Sequence, residues 1–413
     1  MNTNLNNIDT GFLKIEINTS TGTPINNASI YISYTGGPNT IIENLNTNSA
    51  GQTEILSLST PPLEYSLNSN NILEPYAEYS VLIRADGFED KLIAGVELFS
   101  GELAILPVTL YQSERERYTN DIVIPPHTLF GNYPPKIPED EIKPTNETGE
   151  IVLSRVVVPS TIIVHDGAPS DSTATDYYVP YRDYIKNVAS SEIYSTWPEE
   201  TITANILAIM SFTLNRVYTE WYRNKGYSFT ITSSTAYDHK WIYGRNVFEY
   251  ISRIVDEIFN NYLSRPNVNQ PILTQYCDGK RVTCPDWMSQ WGSKYLGDIG
   301  YSAIEILRNY YGSSIYINEA ELLEGIPSSW PGYNLTIGST GDKVRQLQNE
   351  LNAIGKVYSN IPVLTVDGIY GANTANAVST FQKTFDLPVS GVTDFRTWYR
   401  ISNVYVGVTK IAE

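Results

Sequence analysis

Along the first hundred residues, apolar and polar positions alternate in short runs. Phe12-Leu13-Lys14-Ile15-Glu16-Ile17, Ala28-Ser29-Ile30-Tyr31-Ile32-Ser33 and Tyr79-Ser80-Val81-Leu82-Ile83-Arg84 repeat with the period of a half-buried strand. Gly22-Thr23-Pro24, Gly36-Gly37-Pro38 and Asp86-Gly87 punctuate them with turn residues. The pattern predicts a small N-terminal β-sandwich over residues 1–111. Over 112–150 the alternation stops. Six prolines (Pro125, Pro126, Pro134, Pro135, Pro138, Pro144) and the acidic run Glu139-Asp140-Glu141 cannot propagate a helix or a central strand. An extended, accessible linker open to proteases is expected there.

From residue 151 the period changes again. Ile151-Val152-Leu153, Val156-Val157-Val158 and Ile162-Ile163-Val164 are strand-like. Tyr181, Tyr184, Ile185 and Val188 then recur at helical spacing up to about Tyr194. Thr196-Trp197-Pro198-Glu199 predicts a capping box opening a second, buried helix through Ile206, Leu207, Met210, Leu214 and Val217. A third helix is expected at about Tyr301–Tyr311. Residues 151–330 therefore read as a central α+β domain. In residues 331–413, Val344, Leu347, Leu351 and Ile354 stripe one helix, and Ala377, Val378, Phe381 and Phe385 stripe the next. Asp394 can cap a last short helix containing Trp398, so a C-terminal three-helix bundle completes a multidomain chain.

Composition narrows the function. With 28 Lys and Arg against 45 Asp and Glu, the 413-residue chain has a net charge of −17. Phosphate neutralisation needs clustered cations, so nucleic acid and anionic membrane surfaces are not expected partners. No apolar stretch approaches the length of a membrane span, and the N-terminus lacks the basic and apolar regions of a secretory signal. Two cysteines exclude a disulfide-rich scaffold.

One residue breaks the apolar stripe of the first central helix. One turn beyond Val188 lies Glu192. A carboxyl on a buried helix face is costly to ionise, so its pKa rises toward the range a general acid needs. The same pattern also fits a helix-end carboxylate that pairs with Arg216 or Lys186 and does no chemistry.

The segment Val179-Pro180-Tyr181-Arg182-Asp183-Tyr184-Ile185-Lys186-Asn187-Val188-Ala189-Ser190-Ser191-Glu192, followed by Trp197-Pro198, resembles the stage II sporulation protein D family of peptidoglycan lytic transglycosylases. So do Met288-Ser289-Gln290-Trp291-Gly292-Ser293 and Gly300-Tyr301-Ser302, running on to Tyr310-Tyr311-Gly312. The resemblance implies Glu192 as the catalytic acid and Ser289, Gln290 and Trp291 as cleft residues. Asp238 and its neighbour Tyr237, in a loop-like stretch, are further substrate-binding candidates. The family's Gly-His-Gly run is replaced here by Thr283-Cys284-Pro285-Asp286-Trp287. Some members bind zinc through two Cys and two His. Cys277 and Cys284, with His239 or His165, leave a disulfide, two free thiols or a zinc site open. No cofactor is otherwise expected.

The C-terminal residues Gly341-Asp342-x-Val344-x-x-Leu347-Gln348-x-x-Leu351, Asp367-Gly368-Ile369-Tyr370-Gly371, Thr374-x-x-Ala377-Val378-x-x-Phe381-Gln382 and Gly391-x-x-Asp394 resemble a three-helix peptidoglycan-binding family. Most are packing and turn positions; Asp367, Tyr370 and Gln382 are the expected surface contacts. The N-terminal order Gly-Thr-Pro-Ile-x-x-Ala-x-Ile, Asn48-Ser49-Ala50-Gly51-Gln52 and Tyr79-x-Val-x-Ile-x-Ala-Asp-Gly-Phe88 resembles carboxypeptidase-regulatory-like sandwiches.

The three parts in this order resemble clostridial spore cortex-lytic enzymes of the SleC type. That implies a zymogen acting on spore cortex glycan during germination, located in the spore outside the cortex and reached without a signal peptide. An activating protease would cut near Thr145–Arg155. A non-catalytic wall-binding or coat protein and a phage lysin are the competing expectations.

Overall fold

The computed structural model describes residues 8–20, 22–37, 40–113, 121–143, 156–322, 333–385 and 387–409. The chain is multidomain, with several sheets and, among the described residues, nine helices, three of them C-terminal.

The alternating N-terminal segments form β1 (Asp9–Thr19), β2 (Ser29–Tyr34), β3 (Ile41–Asn46), β4 (Leu56–Thr60), β5 (Ala77–Arg84), β6 (Lys91–Leu98) and β7 (Leu103–Leu110). A one-turn helix, α1 (Glu64–Leu67), sits between β4 and β5, and β8 (Ile122–Val123) follows β7. They make two sheets. One has the order β3-β2-β5-β6-β8, and the other contains β7-β1-β4. The period of two puts Leu13, Ile15 and Ile17 of one sheet and Ile30, Ile32, Val81 and Ile83 of the other into a shared buried core.

The central domain runs β9 (Val157–Val158), β10 (Thr161–His165), β11 (Asp176–Pro180), α2 (Tyr181–Glu192), α3 (Glu199–Tyr218), β12 (Ile231–Thr232), β13 (Val247–Phe248), α4 (Glu249–Ile258) and β14 (Asn261–Ser264). Then come β15 (Tyr276–Cys277), β16 (Met288–Ser289), α5 (Gln290–Asp298), α6 (Ala303–Tyr311), β17 (Tyr316–Glu319) and β18 (Glu321–Leu322). Helix α3 is buried nearly all round and lies at the centre. Its start corrects the expected capping box. The helix opens at Glu199 after Pro198, without a side-chain cap. The Thr196 hydroxyl instead bonds Ser66 Oγ at 2.8 Å, because the N-terminal module covers this end of the helix.

That cover is part of a continuous contact between the first two modules. Strand β13 adds to β7 in antiparallel register, Val247 opposite Ile105 and Phe248 opposite Ala104. Nor is the proline-rich segment the free, accessible linker its composition predicts. Ile122, Ile124, His127, Leu129 and Lys143 are buried. Proline forbids a helix but not a docked extended chain, and the backbone finds partners outside itself: Ile137 N–H donates to Ala236 O at 2.7 Å, and Leu273 N–H to Glu141 O at 2.9 Å. The expected cleavage stretch Thr145–Arg155 lies outside the described residues.

The C-terminal helices are α7 (Asp342–Gly355), α8 (Ala372–Thr384) and α9 (Phe395–Thr409). Val344, Leu347, Leu351, Ile354, Ala377, Val378 and Phe381 are buried, as their spacing requires. Asp394 caps α9 by accepting the Thr397 N–H at 2.8 Å, and α9 runs longer than the expected short helix. No described helix is long and apolar enough to cross a membrane.

Candidate functional site

Helix α2 delivers Glu192. From Tyr184 onward every residue of this helix is buried, so its last turn points a carboxyl into protein rather than water. Glu192 is 3% exposed. Its Oε1 accepts the Lys240 backbone N–H at 2.6 Å, and its Oε2 accepts the Tyr276 hydroxyl. Neither cation weighed from sequence is its partner. Arg216 pairs with Asp238 and Glu139, and Lys186 with Asp256 at 2.7 Å.

Burial pushes the Glu192 carboxyl above its ordinary value, against the opposing pull of the Lys136 ammonium, the Tyr276 hydroxyl and the Lys240 N–H and ammonium. The carbonyl dipoles at the C-terminal end of α2 act in the same direction as burial.

Tyr276 is itself held. Its ring stacks on His239, with centroids 5.9 Å apart and planes at 14°, and His239 Nδ1 is 3.0 Å from the Tyr184 hydroxyl. Burial and the nearby Lys136 and Arg216 keep His239 neutral, well below its ordinary pKa. The Gln290 amide donates to the Glu192 backbone carbonyl at 2.9 Å, tying the start of α5 to the end of α2.

A small cavity of about 70 Å³ opens beside Glu192. Glu192, Tyr276, Gln290 and Thr235 line it from the central domain, while Tyr133 and Lys136 come from the proline-rich strap. Lys136 donates to the Asp238 carbonyl and lies over the Tyr276 ring, 4.9 Å from its centroid. A second carboxylate, Asp278, lines the cavity but is committed to its own loop, accepting the N–H groups of Lys280, Arg281 and Val282.

The other sequence candidates fall in different places. Ser289 caps α5, accepting the Gly292 N–H at 2.9 Å. Trp291 packs in the core against Trp197 at 5.0 Å. Tyr237 is half-buried, and its carbonyl accepts from Arg216 at 3.2 Å. Asp238 does not face the cleft as expected. It is fully buried and accepts from Arg216 Nε, the Tyr222 hydroxyl, and the Thr232 N–H and hydroxyl, all within 2.9 Å. Its stretch reaches the cavity through Thr235 instead.

In the C-terminal domain, Tyr370 and Gln382 are not surface contacts. Tyr370 is buried and donates to Gly391 O at 2.9 Å, and Gln382 is buried with its amide on Val392 O at 2.9 Å. Asp367 remains exposed, holding its turn through the Ile369 N–H and the Gln348 amide.

Cys277 and Cys284 form a disulfide, and His239 bonds Tyr184, so these three do not make the weighed zinc site. Among the described residues no cluster of three or more His, Cys, Asp or Glu could hold a metal. Sequence reasoning missed Tyr276, Lys136 and Lys240. The only trace of Tyr276 is its place beside Cys277, on a strand that pairs with Met288-Ser289.

Residues 340–401 match the family described as putative peptidoglycan binding domain, which supports peptidoglycan as a partner and suggests cell-wall association. Among curated proteins none matches. Among solved structures, the SleB N-terminal domain is similar at 27% identity over 19% of this chain and 99% of that one, with a TM-score of 0.17. The Bacillus anthracis TIE protein is similar at 22% identity over 25% of this chain and 17% of that one, with a TM-score of 0.17. Catechol 1,2-dioxygenase from Acinetobacter sp. ADP1 is similar at 15% identity over 29% of this chain and 60% of that one, with a TM-score of 0.19. At TM-scores of this size, these likenesses carry no structural argument.

Proposed function

We propose that this chain is a peptidoglycan lytic transglycosylase held latent by its own N-terminal part, with residues 9–111 a β-sandwich pro-region and 333–409 a three-helix wall-binding bundle. The observation that carries the reading is one buried carboxyl, Glu192, pushed toward its protonated form beside a cavity in a chain whose residues 340–401 match a peptidoglycan binding domain family. In this mechanism Glu192 gives its proton to the glycosidic oxygen as the bond to the muramic acid C1 breaks. It then takes the proton of the same sugar's C6 hydroxyl as that oxygen closes a 1,6-anhydro ring. The internal nucleophile makes a second carboxylate unnecessary, and its effective concentration is high. Tyr276 and the Lys240 N–H hold the carboxyl in position, and Gln290 joins it at the cavity wall.

Latency is supported by size and by position. Ligand sites commonly measure ~300–1,000 Å³, and the cavity of about 70 Å³ beside Glu192 is far below that. Tyr133, Pro134, Pro135 and Lys136 of the strap line that cavity and take up part of its wall. The resemblance to spore cortex-lytic enzymes supports cortex glycan as the polymer, germination as the occasion and a protease as the activator. The wall-binding unit would raise the local concentration of the cutter.

The test is to cut the full chain within residues 144–155, remove the N-terminal fragment, incubate the remainder with purified cortex and with vegetative wall, and seek anhydro-muramic ends by mass spectrometry. Glu192→Gln is expected to abolish them, and equal release from the variant would sink the assignment. The small cavity also suits a second reading, a wall-binding protein without catalysis, which predicts binding but no such ends under any treatment.

A further inference from the structure

Cutting a linker frees a module only if little else holds it, and here much else does. The N-terminal module donates a strand partner to β13. Beside that strand, Glu97 Oε2 meets Arg245 Nη2 at 2.6 Å, with neither side chain exposed. The Asn246 side chain accepts the Glu97 N–H at 3.1 Å and donates to its carbonyl at 2.9 Å. Phe99 packs on Tyr194 at 5.0 Å and on Phe248 at 5.3 Å. Such a contact, with an apolar aromatic centre and a desolvated ion pair, has the character of a permanent interface rather than a transient one.

The strap continues it. Arg216 grips Glu139 through two nitrogens, at 3.0 and 2.6 Å, and Arg265 grips Glu141 through two more, both at 2.7 Å. Such bidentate pairs fix geometry as well as charge. At the end of the strap, the Gln270 amide accepts the Lys143 N–H at 2.7 Å and donates to its carbonyl at 3.1 Å. Every one of these bonds joins a residue before 144 to one after 155 directly, so none depends on the covalent connection.

We infer that residues 9–143 are a separable partner that stays docked on residues 156–322 after the chain is cut between them, keeping the Tyr133–Lys136 strap over Glu192. A cut alone therefore yields a two-fragment complex that is still closed, and opening requires a second event that strips the N-terminal fragment. The docking stands on contacts alone; that it silences an enzyme rests on Glu192 being the acid.

The test introduces a site for a sequence-specific protease within residues 144–155 of the full chain. After cutting, native mass and size exclusion read the assembly, and amine acylation of Lys136, read by mass spectrometry, reports the strap without using activity. One particle of unchanged mass is expected, with Lys136 labelled no faster than in the uncut chain. Two particles, or Lys136 labelled like a free lysine, overturn the inference. Glu139→Ala removes one clamp of the half-buried strap and leaves Arg216 its other carboxylate partner, Asp238. It is expected to speed Lys136 labelling in the cut complex, and an unchanged rate overturns the strap's part. If the fragments stay together but the stripped complex releases no anhydro ends from cortex, the docking is upheld and the Glu192 reading fails.

Discussion

Two buried glutamates lie along the same docking surface and are arranged in opposite senses. Glu97 belongs to the N-terminal module and meets Arg245 of the central domain. Glu192 belongs to the central domain and faces Lys136 of the N-terminal strap. Burial pushes both carboxyls up, and in both a cation opposes it. At the first, the separable part carries the acid; at the second, it carries the base. Stripping the N-terminal fragment hydrates Glu97 and leaves Arg245 without its partner. At Glu192 it removes Lys136, the cation that most opposes burial, and opens the carboxyl's cavity to water. One charge pair therefore serves cohesion and the other serves control.

The largest expected effect breaks the comparison at the Glu192 end. A general acid contributes about 10²–10⁴-fold to rate, so Glu192→Gln in the stripped enzyme is expected to cut the release of anhydro ends by that order. Wall pull-down, which reads the C-terminal unit, should not change. The Glu97 end responds in stability instead. Removing one member of a buried pair costs about 3–5 kcal/mol, so Arg245→Ala is expected to lower the unfolding midpoint of the uncut chain strongly in calorimetry. A small shift would mean that Arg245 is hydrated and does not hold the modules together.

Tyr276→Phe sharpens the comparison at smaller scale. The Tyr276 hydroxyl stabilises ionised Glu192, so its loss raises the acid's pKa. Activity of a general acid disappears as pH rises through that pKa. The alkaline limb of the kcat/KM profile should therefore move to higher pH, while the plateau falls because the carboxyl is less well positioned. The other groups facing it, Lys240 and Lys136 where the strap remains, are unchanged. A merely structural tyrosine would lower the unfolding midpoint and leave the limb in place.

What the sequence made legible follows from how local each signal is. The period-two runs of β1, β2 and β5 and the helical stripes of α2, α3, α7 and α8 need only neighbours within one element, and they read correctly. Glu192 was visible for the same reason, as a polar break in a local stripe. Its partners were not. Lys136 sits in a run of prolines whose composition describes an open linker, and only the long-range fit of Glu139 to Arg216 shows that the run is docked. Tyr276 becomes a neighbour of Glu192 only in the folded chain, where its hydroxyl reaches the carboxyl across 84 residues of sequence. Asp238, Tyr370 and Gln382 failed in the other direction. Polar residues in loops and turns suggest contact with ligand, yet each of these satisfies buried backbone or side-chain groups that the sequence does not place near it.

The smallest expected effect is a stability difference at Glu192, and its sign follows from the raised pKa of the buried carboxyl. With its pKa raised above the ordinary 4.5, Glu192 holds a proton in the folded chain over a range where the unfolded chain has released it. Folded molecules then bind more protons than unfolded ones, so stability falls as pH rises from about 4.5 through the folded value. Glu192→Gln carries no such penalty, and urea melts should show it more stable than the parent at neutral pH and equal to it near pH 4. If Glu192→Gln gives no gain at neutral pH, the strap lysine and the tyrosine offset burial completely, and the carboxyl is not held ready to donate a proton while the strap is in place.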